Sequence, residues 1–216
     1  MKDNQKVKYY SPLEERINIS SHALGFVLSI IALILLFIRA SVYGSVLHII
    51  SFSIFGISLI VLYAASTLYH RAKDPELRSR LRVFDHVSIY VLIAGTYTPF
   101  ALITLKGELG WIVFSISWGL ALTGIILKLF FTGKYNLIST LMYLFLGWMV
   151  IFFINPLMDS LSSDGFIWLA AGGLSYTVGA VLYSIKKIPF NHALFHVFVL
   201  LGSFAHFVSV YFYVLP

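Results

Sequence analysis

The sequence predicts an all-α membrane protein: a seven-transmembrane helix bundle with its N-terminus cytoplasmic and its C-terminus extracellular. Three observations predict it. The 216 residues are 59% hydrophobic and only 11% charged, with mean hydropathy +0.90, whereas soluble domains carry about 25% charged residues. Seven segments approach the ~20 apolar residues that a membrane helix needs. The basic residues also alternate sides from one loop to the next, as the positive-inside rule requires.

The expected spans are 20–39, 45–69, 84–105, 111–130, 137–155, 165–184 and 191–213. They form one transmembrane domain, 20–213, behind a cytoplasmic tail, 1–19. That tail is polar and mixed in charge, without the short apolar core and cleavage site of a signal peptide. Short connections make consecutive helices antiparallel neighbours, and no internal repeat or low-complexity tract interrupts them. Thirteen of the fifteen Lys and Arg residues fall in the tail and the even-numbered loops. Only Arg39 and Lys106 fall on the other side. The net charge of +6 is therefore a topology signal facing anionic lipid, and nucleic acid is excluded as a partner. The chain has no cysteine, so a metal would be held by His, carboxylate or water.

Each helix carries its own signal. Helix 1 opens with Glu15-x-x-Asn18-x-x-x-His22. This is either a capped helix start, with an acid near the positive dipole end, or a polar cluster bridging the helix to the cytoplasmic loops. Helix 2 ends Ser66-Thr67-Leu68-Tyr69-His70, and His48 at its other end is an interfacial residue. The following loop, Arg71 to Arg82, is expected to be solvated and to face lipid headgroups. Helix 3 opens at Asp85. His86 points about 100° away around the helix and is left out of the site. Pro99 should kink the outer half of helix 3.

Small residues recur every four positions in helix 4 (Ser115, Gly119, Thr123) and helix 6 (Ala171, Ser175, Gly179), a pattern for close helix approach. Pro156 should end helix 5. Helix 7 opens His192-Ala193-Leu194-Phe195-His196, a four-residue step that puts both imidazoles on one face. His206 lies too deep to join them and should bond another helix.

With the predicted topology, His70, Asp85, His192 and His196 converge on the cytoplasmic leaflet. Ionisable groups within a membrane are costly and mark functional sites. Three imidazoles suit zinc (Zn2+), which takes three protein ligands plus water in catalytic sites and four in structural ones. Asp85 is either the fourth ligand or the group that holds a water on the metal and takes its proton. Ser66, one turn deeper than His70, would hydrogen-bond that water or a substrate carbonyl.

In combination these motifs resemble the haemolysin III family and its wider group, the progestin and adipoQ receptors. That superfamily also includes alkaline ceramidases. The resemblance runs from Glu14 to about Tyr211. It implies zinc on His70, His192 and His196, with Asp85 and Ser66 beside a bound water, and Glu15, Asn18 and His22 as supporting polar residues. It also implies the orientation that the charge count gives.

The short, basic, cysteine-free form resembles the bacterial branch, so the expected location is a bacterial plasma membrane. The expected partners are membrane lipids, with a substrate entering between helices and no protein ligand. The expected function is zinc-dependent hydrolysis of lipid amide or ester bonds. The alternative is a non-enzymatic membrane protein, either a cytolysin by family label or a lipid or stress sensor with structural zinc. Transport is weaker, because no other charged residue lies mid-membrane.

Overall fold

The computed structural model describes residues 9–131 and 136–215. Among them seven helices are long and apolar enough to cross a membrane. They are α1 (Pro12–Tyr43), α2 (Val46–Arg71), α3 (Pro75–Leu105), α4 (Gly107–Phe131), α5 (Ile138–Ser160), α6 (Ser163–Ser184) and α7 (Asn191–Val214). No strand occurs among the described residues. Lys2, Lys6, Lys8 and Lys134, which entered the charge count, lie outside them. Large apolar side chains such as Leu24, Ile31, Phe130 and Phe152 stand exposed on the outer faces, where lipid is their solvent.

Two helices begin at least eight residues earlier than hydropathy suggests. Helix α1 starts at Pro12, so the last part of the expected 1–19 tail is helical. There the Ser11 hydroxyl accepts the Glu14 N–H at 3.2 Å, Pro12 follows it, and Glu14 and Glu15 fill the first turn. Helix α3 starts at Pro75 because the Asp74 carboxylate accepts the Leu77 N–H at 2.8 Å. A capping side chain followed by proline sets a helix start whatever the polarity of the next turn. A hydropathy window sees only the lipid-embedded part.

Helix α3 is the central element. Of its most apolar stretch 72% is buried, against 22% for α1. Leu92, Phe100 and Ile103 pack with Phe55 and Leu59 of α2 and Val199 of α7. Tyr90, Ala94, Tyr97 and Ala101 pack instead with Val113 and Ala121 of α4 and Leu146 of α5. The disturbance expected at Pro99 takes the form of a π-helical turn over Phe100–Leu105, consistent with the hydrogen bond that proline cannot make.

Pro156 does not end its helix. Helix α5 tightens to a 3₁₀ turn at Met149–Phe153 and restarts at Ile154. Pro156 therefore sits in a first turn, where its missing N–H leaves no carbonyl unpaired. The Tyr97 hydroxyl secures the break. It shares its proton between Leu146 O (3.0 Å) and Gly147 O (2.9 Å) and accepts the Val150 N–H at 2.9 Å.

The small-residue stripes also differ from expectation. Ser115, Gly119 and Thr123 face outward, and space is open at Gly119. The buried face of α4 is Gly110, Val113, Ser117, Ala121 and Gly124. On α6, Ala171 is exposed, while Ser175 donates to Phe198 O at 2.9 Å. The close seam uses every seventh residue: Gly165, Gly172 and Gly179 meet Tyr213, His206 and Phe198 of α7. A seven-residue repeat keeps one stripe against a partner helix better than a four-residue one. His206 bonds Leu169 O of α6 through Nε2 at 3.1 Å, as expected.

Side chains at Gly172 and Gly119 should therefore differ in effect. A Cβ at Gly172 strikes the His206 ring, so Gly172→Leu should cost about 1–3 kcal/mol. Gly119→Ala should stay within about 0.5 kcal/mol of wild type. Thermal unfolding midpoints in detergent check both.

Candidate metal centre

His70, His192 and His196 meet at one end of the bundle. They are 3%, 7% and 2% exposed, and each offers a ligand atom within 4.8 Å of the others. His70 Nε2 and His192 Nε2 stand 3.0 Å apart. Two nitrogens on a four-coordinate zinc, with bonds of about 2.0–2.1 Å, would stand about 3.3 Å apart. The set fits a metal ion in spacing and in chemistry.

What turns the rings inward lies around them. His70 Nδ1–H donates to Glu15 Oε2 at 2.7 Å, leaving Nε2 as the lone-pair nitrogen that faces His192. Asn18, fully buried, brings its amide to 3.5 Å of the same Nδ1. Ser21 donates to Asn18 O at 3.1 Å, so its oxygen is free to receive His196 Nδ1–H at 3.4 Å. Partners of this kind fix which nitrogen can bind a metal. His22 stacks flat on His196, with ring centroids 3.5 Å apart and planes at 9°. Ser11 caps helix α1, and Glu15, Asn18 and His22 contact helices α2, α3 and α7 rather than the cytoplasmic loops of the second reading.

At the start of α7, the Asn191 amide donates to Tyr183 O (2.8 Å) and Ile185 O (3.3 Å) at the end of α6. Phe190 takes a left-handed conformation (φ 54°) to make the turn. This clamp places His192 in the first turn of its helix.

Glu15 is itself held by Arg78. The loop expected to be solvated and lipid-facing is not so at this residue. Arg78 is 1% exposed and forms an ion pair with Glu15. It also donates to Tyr69 O (3.3 Å), His70 O (3.1 Å) and Ala72 O (3.1 Å), carbonyls where α2 ends. Its guanidinium lies between the Tyr9 and Tyr69 rings, 4.5 and 4.7 Å away. The signal was present: Asp74-Pro75 starts a helix, and Arg78 is one turn into it.

Tyr10 was also not foreseen, and nothing in its sequence neighbourhood marks it. It stacks on His192 at 4.6 Å and 17° and donates its N–H to Glu15 Oε1 at 3.2 Å. Burial pushes its hydroxyl well above the usual phenol range.

Asp85 stands outside the three-nitrogen set. Its carboxyl lies beside the Ser66 hydroxyl and within electrostatic reach of His70. Both line a cavity of about 250 Å³ that also touches His192 and His196. From there it runs past Ile89, Thr96 and Tyr176 towards Leu157 and Phe166, and its wall is mainly apolar.

Comparison with known proteins shows the family of the chain. A family model described as "Haemolysin-III related" matches residues 10–207. The chain belongs to the haemolysin III family. It is similar to "Hemolysin-3" of Bacillus cereus, 48% identical over 94% of this chain and 93% of the relative. The "Hemolysin-3 homolog" of Bacillus subtilis (strain 168) is 50% identical over 93% of this chain and 94% of its own length. A human protein, "Monocyte to macrophage differentiation factor", is 30% identical over 74% of this chain and 68% of its own length. It supports the relationship to the progestin and adipoQ receptor group. This haemolysin III protein is a multi-pass integral protein of the bacterial plasma membrane.

Loss of the Glu15 carboxylate should loosen the metal without removing a ligand. Glu15→Gln is expected to weaken metal affinity about 10–100-fold, measured by competition with a chelator.

Proposed function

We propose that this protein is a zinc-dependent hydrolase of lipid amide or ester bonds, acting at the cytoplasmic leaflet. The observation that carries the reading is the position of Ser66 and Asp85. They line a mainly apolar cavity together with His192 and His196 of the candidate metal site, a space suited to a lipid chain. The three imidazoles are the donor set for zinc in a site with no thiolate.

His70, His192 and His196 would hold the ion, their tautomers set by the contacts of His70 with Glu15 and of His196 with Ser21. When bound, zinc supplies a polarised carbonyl and a water with its pKa lowered to about 7. Asp85 would accept the proton of the attacking water and deliver it to the leaving nitrogen or oxygen. The Ser66 hydroxyl would donate to the carbonyl oxygen as charge develops there. The cavity would take the acyl chain and exclude bulk water. The positive-inside count supports the cytoplasmic placement.

The relatives' names favour a second reading, a cytolysin. The exposed apolar girdle argues against a water-soluble pore former that inserts later.

Purified wild type and Asp85→Asn, assayed for metal content and against a panel of lipid amides and esters, decide between these. The expected result is about one zinc in each and a rate about 10²–10⁴-fold lower in the variant. Zinc in both with cleavage by neither would make the metal a structural clip between α2 and α7.

A further inference from the structure

One histidine deep in the bundle has a ring nitrogen that the fold leaves unused. His206 of α7 is 7% exposed and lines the cavity. Its Nε2 pairs with Leu169 O of α6 at 3.1 Å. A carbonyl only accepts, so Nε2 carries the proton, and Nδ1 of the neutral ring carries a lone pair. Among the described residues no hydrogen-bond partner reaches that Nδ1. Gly172 sets the direction of the ring. A Cβ there would strike Cδ2 and Nε2, so the Nδ1 edge is turned away from that seam. A buried polar atom without a partner is costly, most of all within a membrane.

A donor stands beside it. The Tyr176 ring of α6 lies 5.4 Å from the His206 ring, centroid to centroid, and also lines the cavity. Its hydroxyl end crosses α7 at Gly202, where a Cβ would meet Cε1, Cε2 and Cζ at 2.9 Å. This seats the Tyr176 oxygen 2.8 Å from Ser203 Oγ, which receives the Tyr63 proton at 2.7 Å. Three hydroxyls bring three protons, and these two bonds use two. With Ser203 donating onward, the proton left over is that of Tyr176, whose ring faces the cavity.

A mainly apolar wall thus carries one acceptor and one donor on neighbouring rings. A ligand carbonyl would only accept, and an amide N–H would only donate; a hydroxyl does both through one atom. His206 is ten residues beyond His196, about 15 Å along the helix axis. A fully extended chain advances ~3.3–3.6 Å over three backbone bonds. At a similar advance, that distance is roughly a dozen carbons of an acyl chain.

We propose that His206 and Tyr176 bind a hydroxyl carried on an acyl chain, roughly a dozen carbons from the head group at the metal centre. The proposal rests on the hydrolase reading only in placing the head of the chain at the metal, and it narrows the substrate class to lipids with a hydroxylated acyl chain.

The test uses the purified, zinc-loaded full chain in neutral detergent. The probes are octadecanoate and the same acid hydroxylated at carbon twelve or at carbon six. The last two match in polarity and differ only in where the hydroxyl falls. Bound acid is counted by native mass spectrometry. Wild type should retain the carbon-twelve acid about tenfold better than either of the others. Tyr176→Phe and His206→Gln should each bring it down to the level of the carbon-six acid and leave octadecanoate unchanged. The glutamine amide still reaches Leu169 O, so the tie between α6 and α7 is kept while the Nδ1 acceptor is lost. If His206→Gln does not fold, Tyr176→Phe, which removes one oxygen and no ring, decides alone. Unchanged zinc content shows that each variant is folded.

Equal retention of the two hydroxylated acids would overturn the proposal and leave Nδ1 to a buried water. So would variants that weaken all three acids alike, the mark of a purely structural role, or a wild type that retains none of them. None of these readouts depends on lipid hydrolysis. Octadecanoate bound without a hydroxyl preference would sink this proposal and leave the hydrolase reading standing.

Discussion

The Glu15 carboxylate joins three helices that would otherwise meet at an unsatisfied polar end. One oxygen takes the His70 imidazole of α2 and the other takes the Arg78 guanidinium of α3. Arg78 in turn bonds the carbonyls with which α2 ends. Each group is buried or nearly so, and each would be costly without the others. The arrangement closes the end of α2 and sets the tautomer of a histidine of the candidate metal centre. It also gives Tyr9 and Tyr10 a surface to cover, so the stability of this end and the orientation of the ligands are one property.

Helix α3 connects that end to the rest of the bundle. One of its faces completes the core with α2 and α7, the other the core with α4 and α5. Asp85 and His86, adjacent in sequence, are thereby sent to different walls of one cavity: the first towards Ser66 and His70, the second towards Lys128 and Tyr143. The π-turn after Pro99 and the Tyr97 bridge to the break in α5 hold this helix in register at its far end. A cavity running from the candidate metal centre into the bundle follows from these two packing faces. It is the physical basis for the hydrolase reading.

Much of the site was legible from spacing. Two histidines four apart on α7, a third at the end of α2 and an acid at the start of α3 needed only the helical period and the charge alternation to be placed together. Arg78 was not legible in the same way, because a basic loop beside a membrane ordinarily faces water. Only the Asp74-Pro75 helix start, together with the half-buried Glu15, gives it a reason to turn inward. The stripe on α4 failed for a related reason. Ser115, Gly119 and Thr123 are a plausible packing face, but α4 carries a second face with Gly110, Ser117 and Gly124, and the neighbouring helices select that one.

The sequence by itself determined the number of membrane helices, their antiparallel succession and the histidine triad. These follow from apolar length and helical period, which act locally. The helix starts at Pro12 and Pro75 were also written locally, in caps that hydropathy does not weigh. Tertiary structure alone decided which small-residue face packs, that Arg78 is buried and that Tyr10 covers His192. Those outcomes depend on which side chains from distant segments compete for the same space and the same charge. Such competition has no period and leaves no pattern along the chain.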